Sequence, residues 1–203
     1  MIAAIVLSAG ESSRMGSPKA LLSFEGKTFI ERIVTVLKTS KVGKIVVVLG
    51  FHAEEIKPSI RKLPVSIVVN KDYAKGQLSS IIAAIQSLEA EKAGEKVDGA
   101  LIHLVDHPFL NRSLIDEMID VFYDSKKLIV VPRYKGRRGH PVLFAQRLFP
   151  ELLSAPLDQG AKVVVHSHRD ETLEIDTEDE GVVIDIDTPE EYRKRLGRDP
   201  CPI

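Results

Sequence analysis

The sequence predicts an α/β fold of three layers, in which helices cover both faces of a mostly parallel sheet. Short apolar runs rich in β-branched residues recur along the 203-residue chain, and each run is continuous, as in strands buried on both faces. Segments with helical periodicity separate the runs, which is the order expected of successive parallel strands. With a hydrophobic fraction of 44%, the chain is large enough to bury one sizeable core.

The strands are expected where the apolar runs lie. In chain order, the runs are AAIVLS at the start, KIVVVLG (44–50), PVSIVVN (64–70), GALIHLV (99–105), LIVVP (128–132) and, after a less regular stretch, GVVIDI (181–186). Turn and helix signals bound each of them. The first five are predicted to form the parallel sheet, and the sixth is predicted to be a short strand before a closing helix.

Helix starts are indicated by side chains that can bond the first free N–H groups. Thr28 with Glu31 has the spacing of a capping box, and Asn111 can cap the segment RSLIDEMIDVFYD. Thr188 with Glu191 repeats the box, with a proline at the first helical position. Helices are therefore predicted to begin at these three points.

One domain is predicted over 1–197, with a tail at 198–203. The segment EAEKAGEKVD (89–98) is interpreted as a solvated helix end and loop, and the opening apolar run as a strand, since it lacks a basic flank and is too short to cross a membrane. A net charge of -1 argues against bulk attraction to nucleic acid or to a membrane surface. The single cysteine, Cys201, allows no internal disulfide and suits the cytoplasm.

Charged and polar residues follow several of the expected strands. Gly10, Arg14 and Lys19 follow the first, Asn70 follows the third and Asp106 follows the fourth. In open parallel sheets, ligands bind outside the carboxyl ends of the strands. These residues are therefore expected along one rim of the sheet.

The loop after the first strand, GESSR, fits neither of two common phosphate loops. A P-loop has four residues between its glycines and then Lys-Ser/Thr, whereas five residues separate Gly10 from Gly16 and Ser17 stands in the place of the lysine. A dinucleotide fingerprint needs a glycine where Ser12 lies and an acidic residue at the end of the second strand, which reads LGFH. What remains is a glycine corner with hydroxyls at Ser12 and Ser13, which could wrap a polyphosphate or form a solvated turn.

Beyond this loop, LSAGESSRMGSPKALL is similar to the L-A-A-G-x-S-x-R-M-G-x-x-K signature of nucleotidylyltransferases with the nucleotide-diphospho-sugar transferase fold. Five later segments resemble the molybdenum cofactor cytidylyltransferase family: NKDYAKGQLSSI (70–81), VDHPFL (105–110), GRRGHPVLF (136–144), LDQGAK (157–162) and IDIDTPEEY (184–192). The resemblance implies a Rossmann-like, GT-A-like fold. It also implies transfer of CMP from CTP to the terminal phosphate of molybdopterin, with release of pyrophosphate.

The resemblance also implies catalytic and metal-binding roles. Arg14 and Lys19 match the positions that bind the β- and γ-phosphates and stabilise the departing pyrophosphate. Asp106 and Asp187 match the ligands of Mg²⁺, a cation that favours carboxylate oxygens together with substrate phosphates. Arg14, Lys19 and Asp106 are thus the expected catalytic residues, although an aspartate that caps a loop remains the alternative for Asp106 alone.

The substrate contacts implied by the resemblance fall into two groups. The residues expected to contact the nucleotide, besides the two cations, are Leu7, Ser8, Ala9, Gly10, Ser12, Ser13, Asn70, Ser79 and Ser80. Arg138, Gly139 and His140 are expected to receive the acceptor's phosphate and pterin, whereas Lys135 and Arg137 are assigned to an exposed hairpin. The implied partners are CTP or another nucleoside triphosphate, a phosphorylated pterin, and a molybdoenzyme or its maturation chaperone.

The choice of base and reaction leaves alternatives open. In the relatives, an Ala-Gly corner goes with cytosine and Gly-Gly with guanine, so Ala9 and Gly10 favour CTP. The alternatives are a guanylyl- or sugar-1-phosphate nucleotidylyltransferase, a nucleotide-sensing protein without transfer, and a nicotinamide-dependent oxidoreductase. Asp106 with Asp187 argues for turnover over sensing, and the missing dinucleotide fingerprint argues against the oxidoreductase.

The remaining histidines are assigned structural roles. On one continuous strand, His103 and His107 would share a face about 13 Å apart, too far to bind one ion, and His103 is expected in the core. The HSH segment (166–168) is expected to end a helix that begins near Ala161, where a cationic ring complements the helix dipole. His52 is expected to cap or pack at the next helix start.

Overall fold

A computed structural model of the protein describes residues 1–90 and 96–201. The strands are β1 Ile2–Ser8, β2 Ser23–Phe24, β3 Lys27–Thr28, β4 Lys44–Leu49, β5 Ser66–Val69, β6 Gly99–Leu104, β7 Ile129–Tyr134, β8 Arg137–Arg138, β9 Val142–Ala145 and β10 Thr172–Asp176. The α-helices are α1 Phe29–Thr39, α2 Ala53–Ile60, α3 Gln77–Ala90, α4 Arg112–Ser125, α5 Phe149–Ser154, α6 Lys162–Ser167 and α7 Pro189–Leu196.

The central sheet has the strand order β10-β7-β9-β6-β1-β4-β5, with β8 paired to β7. Strand β1 is parallel to both of its neighbours, so that Ile5 lies beside Val46 on one side and Ile102 on the other. The predicted parallel sheet is therefore confirmed over β4, β1 and β6. Strand β9 was not predicted; it runs antiparallel between β6 and β7 and separates these two predicted strands.

Helices cover both faces of this sheet, as the sequence predicts. Along β1, Ala4 and Val6 pack into a core beneath α1, α2, α4 and α7. Ala3 and Ile5 point to the opposite face and pack into a core beneath α3, α5 and α6. Both cores are apolar because a strand covered on two faces buries every side chain, which explains the continuous runs in the sequence.

The predicted helix starts are confirmed at atomic detail. At the start of α1, the amide of Glu31 donates to the Thr28 hydroxyl at 3.2 Å, and the Thr28 amide donates to the Glu31 carboxylate at 2.8 Å. The same reciprocal pair occurs at the start of α7, and Asn111 accepts from the Ser113 amide at 2.9 Å to cap α4. The helix predicted near Ala161 is α6.

The strand predicted at 181–186 is wrong. The chain forms a 3₁₀ turn over Glu180–Val183 and then continues extended without joining the sheet. Strand β6 is already paired on both edges, and Gly181 packs so closely that a Cβ would lie 2.7 Å from Cβ of Phe109. A backbone bond of 2.8 Å, from the amide of Ile186 to the carbonyl of Asp106, still brings this segment to the rim.

The predicted separation of His103 and His107 is also wrong. Strand β6 ends at Leu104, and the amide of His107 donates back to the Leu104 carbonyl in a tight turn. The two ring centroids are consequently 6.2 Å apart rather than about 13 Å. The part of the expectation that placed His103 in the core is confirmed, since 1% of the residue is exposed.

The structure describes part of the predicted loop at 89–98 and part of the predicted tail at 198–203. Helix α3 reaches Ala90, and 91–95 of the predicted loop at 89–98 lie outside the described residues. Helix α7 ends before Gly197, and the predicted tail returns to β2, where the Ser23 amide donates to the Cys201 carbonyl at 3.0 Å. Across 1–90 and 96–201, no helix is long and apolar enough to cross a membrane.

Candidate active site

The loop after β1 is a compact turn stabilised by Ser12. Its carbonyl accepts from the amides of Met15 and Gly16 at 3.0 and 3.1 Å, and its hydroxyl accepts from the Lys19 amide at 3.3 Å. Ser12 itself has a positive φ of 52°. The turn leaves Arg14 largely exposed and directs Lys19 towards the carboxyl end of β6.

Four of the predicted site residues come together at the rim. Lys19 Nζ donates to Asp106 Oδ2 at 3.0 Å and also to Asp187, while Arg14 donates to the second oxygen of Asp187 at 2.5 Å. The capping box of α7 fixes Asp187, because its amide donates to the Glu191 carboxylate at 2.7 Å. Two cations and two carboxylates therefore form one cluster across loops that are distant in sequence.

The cluster shifts the protonation equilibria of its members. Burial alone would lower the pKa of Lys19, but the charges and hydrogen bonds of Asp106 and Asp187 outweigh it, and the pKa lies above its ordinary value. Burial would likewise raise the pKa of Asp187, yet Lys19 and Arg14 hold it below its ordinary value. Both groups are charged at neutral pH, so the cluster is an ion-pair network.

The residues present fit a divalent cation. Asp106 Oδ1 is buried and has no hydrogen-bond partner within the described part of the chain, and it is a hard oxygen of the kind Mg²⁺ prefers. Its other oxygen and the carboxylate of Asp187 bind the Lys19 ammonium, which shows that the pair already accommodates positive charge. Asp106 and Asp187 are therefore suited to hold a metal ion together with substrate oxygens.

A cavity of about 290 Å³ opens beside this cluster. Of the residues predicted to contact the nucleotide or to catalyse, it is lined by Leu7, Ser8, Ala9, Gly10, Ser12, Lys19, Ser80 and Asp106. A Cβ placed on Gly10 would meet nothing within 4 Å, so the cavity extends up to the backbone there. We call this the nucleotide cavity.

Two of the residues predicted to contact the nucleotide support its wall instead. The Asn70 amide nitrogen donates to the hydroxyls of Ser79 and Ser80 at 2.8 and 3.0 Å. Ser79 in turn donates to the carbonyls of Gly76 and Asp72. Asn70 and Ser79 thus hold the start of α3 in place, and Ser80 is the member of the set that lines the cavity.

Among the lining residues of the nucleotide cavity that sequence reasoning missed, His52, Tyr73 and Gln77 have polar side chains. Gln77 stands in the segment NKDYAKGQLSSI (70–81), directly after Gly76, and is the first residue of α3. His52 follows β4 at the rim, so its position after a strand was the available signal. Tyr73 stands in the same segment as Gln77 and lies in a 3₁₀ turn that was not predicted.

A second cavity of about 650 Å³ adjoins the first, and both are lined by Gly76, Gln77 and Leu104. Its floor is apolar and includes Ile102, Val142 and Phe144. The polar residues around it include Arg138, His140, Asp158, Gln159, Lys162 and His166. We call this the acceptor cavity, because the three residues predicted to bind the acceptor all line it.

Those three residues are held by different contacts. Arg138 donates from Nε to Glu174 at 2.7 Å, and 41% of its side chain is exposed. Gly139 packs against the backbone of Val182, where a Cβ would lie 2.2 Å from the carbonyl oxygen. The rings of His140 and His107 lie 4.9 Å apart. Lys135 and Arg137 belong to the exposed hairpin between β7 and β8, as predicted.

The buried histidines of this region are neutral at physiological pH. Burial lowers the pKa of His140 to about 4 and that of His103 to about 3, and the neighbouring rings lower both further. Burial also lowers the pKa of His107. The acceptor cavity therefore presents His140 as an uncharged hydrogen-bonding group beside the cation of Arg138.

The family model of the MobA-like NTP transferase domain matches residues 4–172. The chain belongs to this family. As a MobA-like NTP transferase it is a nucleotidyltransferase, which agrees with the cationic loop, the paired carboxylates and the two adjoining cavities.

Curated MobA-like relatives carry different names. The chain is 29% identical to "Nicotine blue oxidoreductase" of Paenarthrobacter nicotinovorans over 96% of both chains. It is 26% identical to "Molybdenum cofactor cytidylyltransferase" of Escherichia coli over 93% of this chain and 92% of that protein. It is 38% identical to a "Probable molybdenum cofactor guanylyltransferase" of Bacillus cereus AH187 over 70% and 66%.

Solved structures also resemble this MobA-like NTP transferase. The crystal structure of Rv0371c from Mycobacterium tuberculosis H37Rv superposes with a TM-score of 0.83 at 28% identity, covering 97% of each chain. A structure of the same protein in complex with manganese has a TM-score of 0.78 at 26% identity, covering 97% of this chain and 98% of that one. A related protein of the same architecture therefore binds a divalent cation.

Proposed function

We propose that the protein is a molybdenum cofactor nucleotidyltransferase that transfers CMP from CTP to the terminal phosphate of molybdopterin. The observation that carries this proposal is the meeting of the nucleotide and acceptor cavities at Gly76, Gln77 and Leu104, with Asp106 in the wall of the first. Two substrates bound in these cavities would have their reacting phosphates close to the charged cluster. That proximity is what a transfer between two bound anions requires.

On the nucleotide side, the chain supplies positive charge to offset the repulsion between the two substrates. Arg14 and Lys19 would exchange their carboxylate partners for the β- and γ-phosphates and stabilise the departing pyrophosphate. Asp106 and Asp187 would then hold Mg²⁺, which supplies additional positive charge to the phosphate oxygens when bound. The manganese complex of a relative supports a divalent cation here.

On the acceptor side, the nucleophile needs no general base, because a phosphate monoester is already anionic at neutral pH. A new bond forms between an acceptor phosphate oxygen and the α-phosphorus, and the bond from that phosphorus to the oxygen bridging to the β-phosphorus breaks. Arg138 would bind the acceptor's phosphate, and His140 and the apolar floor would contact its ring system. Gly139 would leave the backbone close to Val182 and so shape this edge.

CTP is proposed over GTP from the corner at Ala9 and Gly10, which resembles the cytidylyltransferase pattern. GTP is the second candidate, and the 38% identity to a guanylyltransferase of Bacillus cereus favours it. The relative named "Nicotine blue oxidoreductase" favours an oxidoreductase. Against this alternative, Ser12 stands where a dinucleotide fingerprint needs glycine. The ion-pair network at Lys19 suits a triphosphate better than a hydride carrier.

The proposal extends to partners and location. A molybdoenzyme or its maturation chaperone would receive the dinucleotide product, because the pterin needs a protein that uses it. The lone thiol of Cys201 is exposed and suits a reducing cytoplasm, where we propose that the reaction takes place.

The first experiment is isothermal titration of the protein with CTP, GTP, ATP and UTP in the presence of Mg²⁺, repeated with EDTA. Mg²⁺-dependent binding of CTP alone, followed by conversion of CTP and molybdopterin to a dinucleotide and pyrophosphate, is the expected result. Preference for GTP would move the assignment to the guanylyltransferase. Binding of none of the four triphosphates would overturn the proposal, and parallel titration with NADH and NADPH would then test the oxidoreductase.

A further inference from the structure

We propose that His52 is the positioning residue that holds the nucleotide-binding loop in its binding conformation. The inference rests on the proposed function, since it concerns the same nucleotide cavity. The family resemblance assigns no role to His52, and the role follows from its contacts. His52 immediately precedes α2, and it lines the nucleotide cavity together with Gly10 and Ser12.

The His52 ring is held from both of its nitrogens. Nε2 lies 3.0 Å from the carbonyl oxygen of Glu11, in the loop after β1. Nδ1 lies 2.7 Å from the carboxylate of Glu55, one turn along α2. The side chain is 15% exposed, and the edge of the Phe51 ring packs against it at a centroid distance of 4.8 Å. The ring therefore links helix α2 to the loop through an oriented contact.

The loop needs such a contact because its backbone is unfavourable at Ser12. A non-glycine residue at a φ of 52° persists only where its surroundings hold it. The Glu11 carbonyl and the Ser12 N–H belong to one planar peptide and point in opposite directions. By fixing the carbonyl, His52 fixes the direction in which the Ser12 N–H is offered.

A second contact joins the same two segments, but it does not depend on a side chain. The amide of Phe51 donates to the Ala9 carbonyl at 3.2 Å. This approach is possible because Gly50 has no Cβ, which would lie 2.4 Å from that oxygen. The backbone bond sets the distance between the segments, and the His52 side chain sets the orientation of the peptide between Glu11 and Ser12. Changing residue 52 therefore tests the orientation alone.

The test compares His52→Leu with His52→Gln by titration with CTP and Mg²⁺, beside steady-state kinetics. Leu removes the donor, and we expect the Kd and the KM for CTP to rise about tenfold, as for the loss of one oriented hydrogen bond, with little change in kcat. Gln places an amide donor near the position of Nε2, and we expect affinity within about threefold of the unchanged chain. A purely structural role would instead lower the unfolding temperature of both variants and spare the Kd.

A matched pair on α2 provides the control. Glu55→Ala removes the carboxylate that orients the ring, and we expect the Kd to rise about threefold. Glu54→Ala removes the adjacent carboxylate of the same helical turn, which pairs with Lys57 and not with His52, and we expect no change in the Kd. Both substitutions alter the helix terminus equally, so only the contact with His52 distinguishes them.

The outcomes separate this inference from the proposed function. If the unchanged chain binds none of the four triphosphates, the proposed function fails and the inference fails with it. If the unchanged chain binds CTP and His52→Leu binds it equally well, the inference alone is overturned. Equal losses for Glu54→Ala and Glu55→Ala would also overturn it, because the effect would then come from helix charge.

Discussion

The side chain of Lys19 lies between the carboxylates of Asp106 and Asp187. A phosphate that binds Lys19, or a metal ion that binds the two carboxylates, must break these contacts. The Lys19 ammonium binds Asp106 at 3.0 Å and also binds Asp187, so the two carboxylates and the lysine satisfy one another. A triphosphate would draw Lys19 away and leave both carboxylates available to a cation. Nucleotide and metal binding should therefore favour each other through this one residue.

Replacing Asp106 tests the catalytic role of the cluster. Asp106→Asn keeps the size of the side chain but removes its charge, and we expect transfer to fall at least about a hundredfold. The unfolding temperature should change little, because 24% of the side chain is exposed and it pairs across a rim. Turnover measured with CTP and acceptor decides the matter, and an unchanged rate would refute the metal-binding role.

Replacing Lys19 should affect two ligands in opposite directions. Lys19→Ala removes a cation from the proposed triphosphate site, and we expect the Kd for CTP to rise about tenfold or more. Without nucleotide, the same variant should bind Mn²⁺ more tightly, because the ammonium no longer competes for Asp106 and Asp187. Titration of Mn²⁺ by electron paramagnetic resonance measures the second effect, and weaker Mn²⁺ binding would contradict this account.

Residue patterns in the sequence revealed the charges of the site better than its walls. Arg14, Lys19 and Asp106 stand at the ends of an early and a central strand, and the rule for parallel sheets places them together. The wall was predicted in part: the corner at Ala9 and Gly10 was expected to line the cavity, whereas Tyr73 was not, because the turn that brings it there depends on the packed structure. Asn70 was predicted to contact ligand, and its bonds to Ser79 and Ser80 are visible only in three dimensions.

Helix α7 positions Asp187, which directly precedes the N-cap residue Thr188, through the hydrogen bonds of its capping box. The carboxylate of Glu191 accepts from the amides of Asp187 and Thr188 at 2.7 and 3.0 Å. The box was predictable because its two residues, Thr188 and Glu191, are three positions apart in sequence, whereas the strand predicted just before it is wrong. A strand needs a free sheet edge as well as an apolar run, and β6 has none to offer.

The two capping boxes of the protein allow a matched test of this role. Thr188→Ala and Thr28→Ala each remove a cap hydroxyl, and we expect each to lower the free energy of unfolding by about 1 kcal/mol. Only Thr188→Ala should also slow transfer, by several-fold, because only that box fixes the backbone of Asp187. Urea denaturation and initial rates measure the two effects. Equal slowing by both variants would show that α7 has no special role.

At the scale of the whole molecule, His103 in the core and the partly buried His140 beside the acceptor cavity affect the stability of the protein. His103 and His140 have pKa values of about 3 and about 4 in the folded chain, below the ordinary value of 6.5. The unfolded chain therefore binds protons below pH 6.5 that the folded chain does not bind. The free energy of unfolding is highest above that pH and falls as the pH drops towards 4.

Chemical denaturation at several pH values checks this dependence. Between pH 7.5 and pH 5, we expect His140 alone to account for about 2 kcal/mol of lost stability. In His140→Gln that contribution to the pH dependence of the free energy of unfolding should vanish, whatever the stability of the variant at pH 7.5. A slope unchanged by the substitution would show that His140 titrates equally in the folded and unfolded chains.

The antiparallel strand β9 divides the sheet into two parts, and each part carries a different region of the candidate site. Strand β1, which leads into the corner at Ala9 and Gly10, lies on one side of β9, and β7, which leads into the hairpin with Arg138, lies on the other. Mutations in the hairpin at β8 can therefore accumulate without disturbing the corner at Ala9 and Gly10. Under the proposed function, acceptor contacts and nucleotide contacts would then change separately, and the relatives named as cytidylyltransferase and guanylyltransferase already differ in the nucleotide of their names.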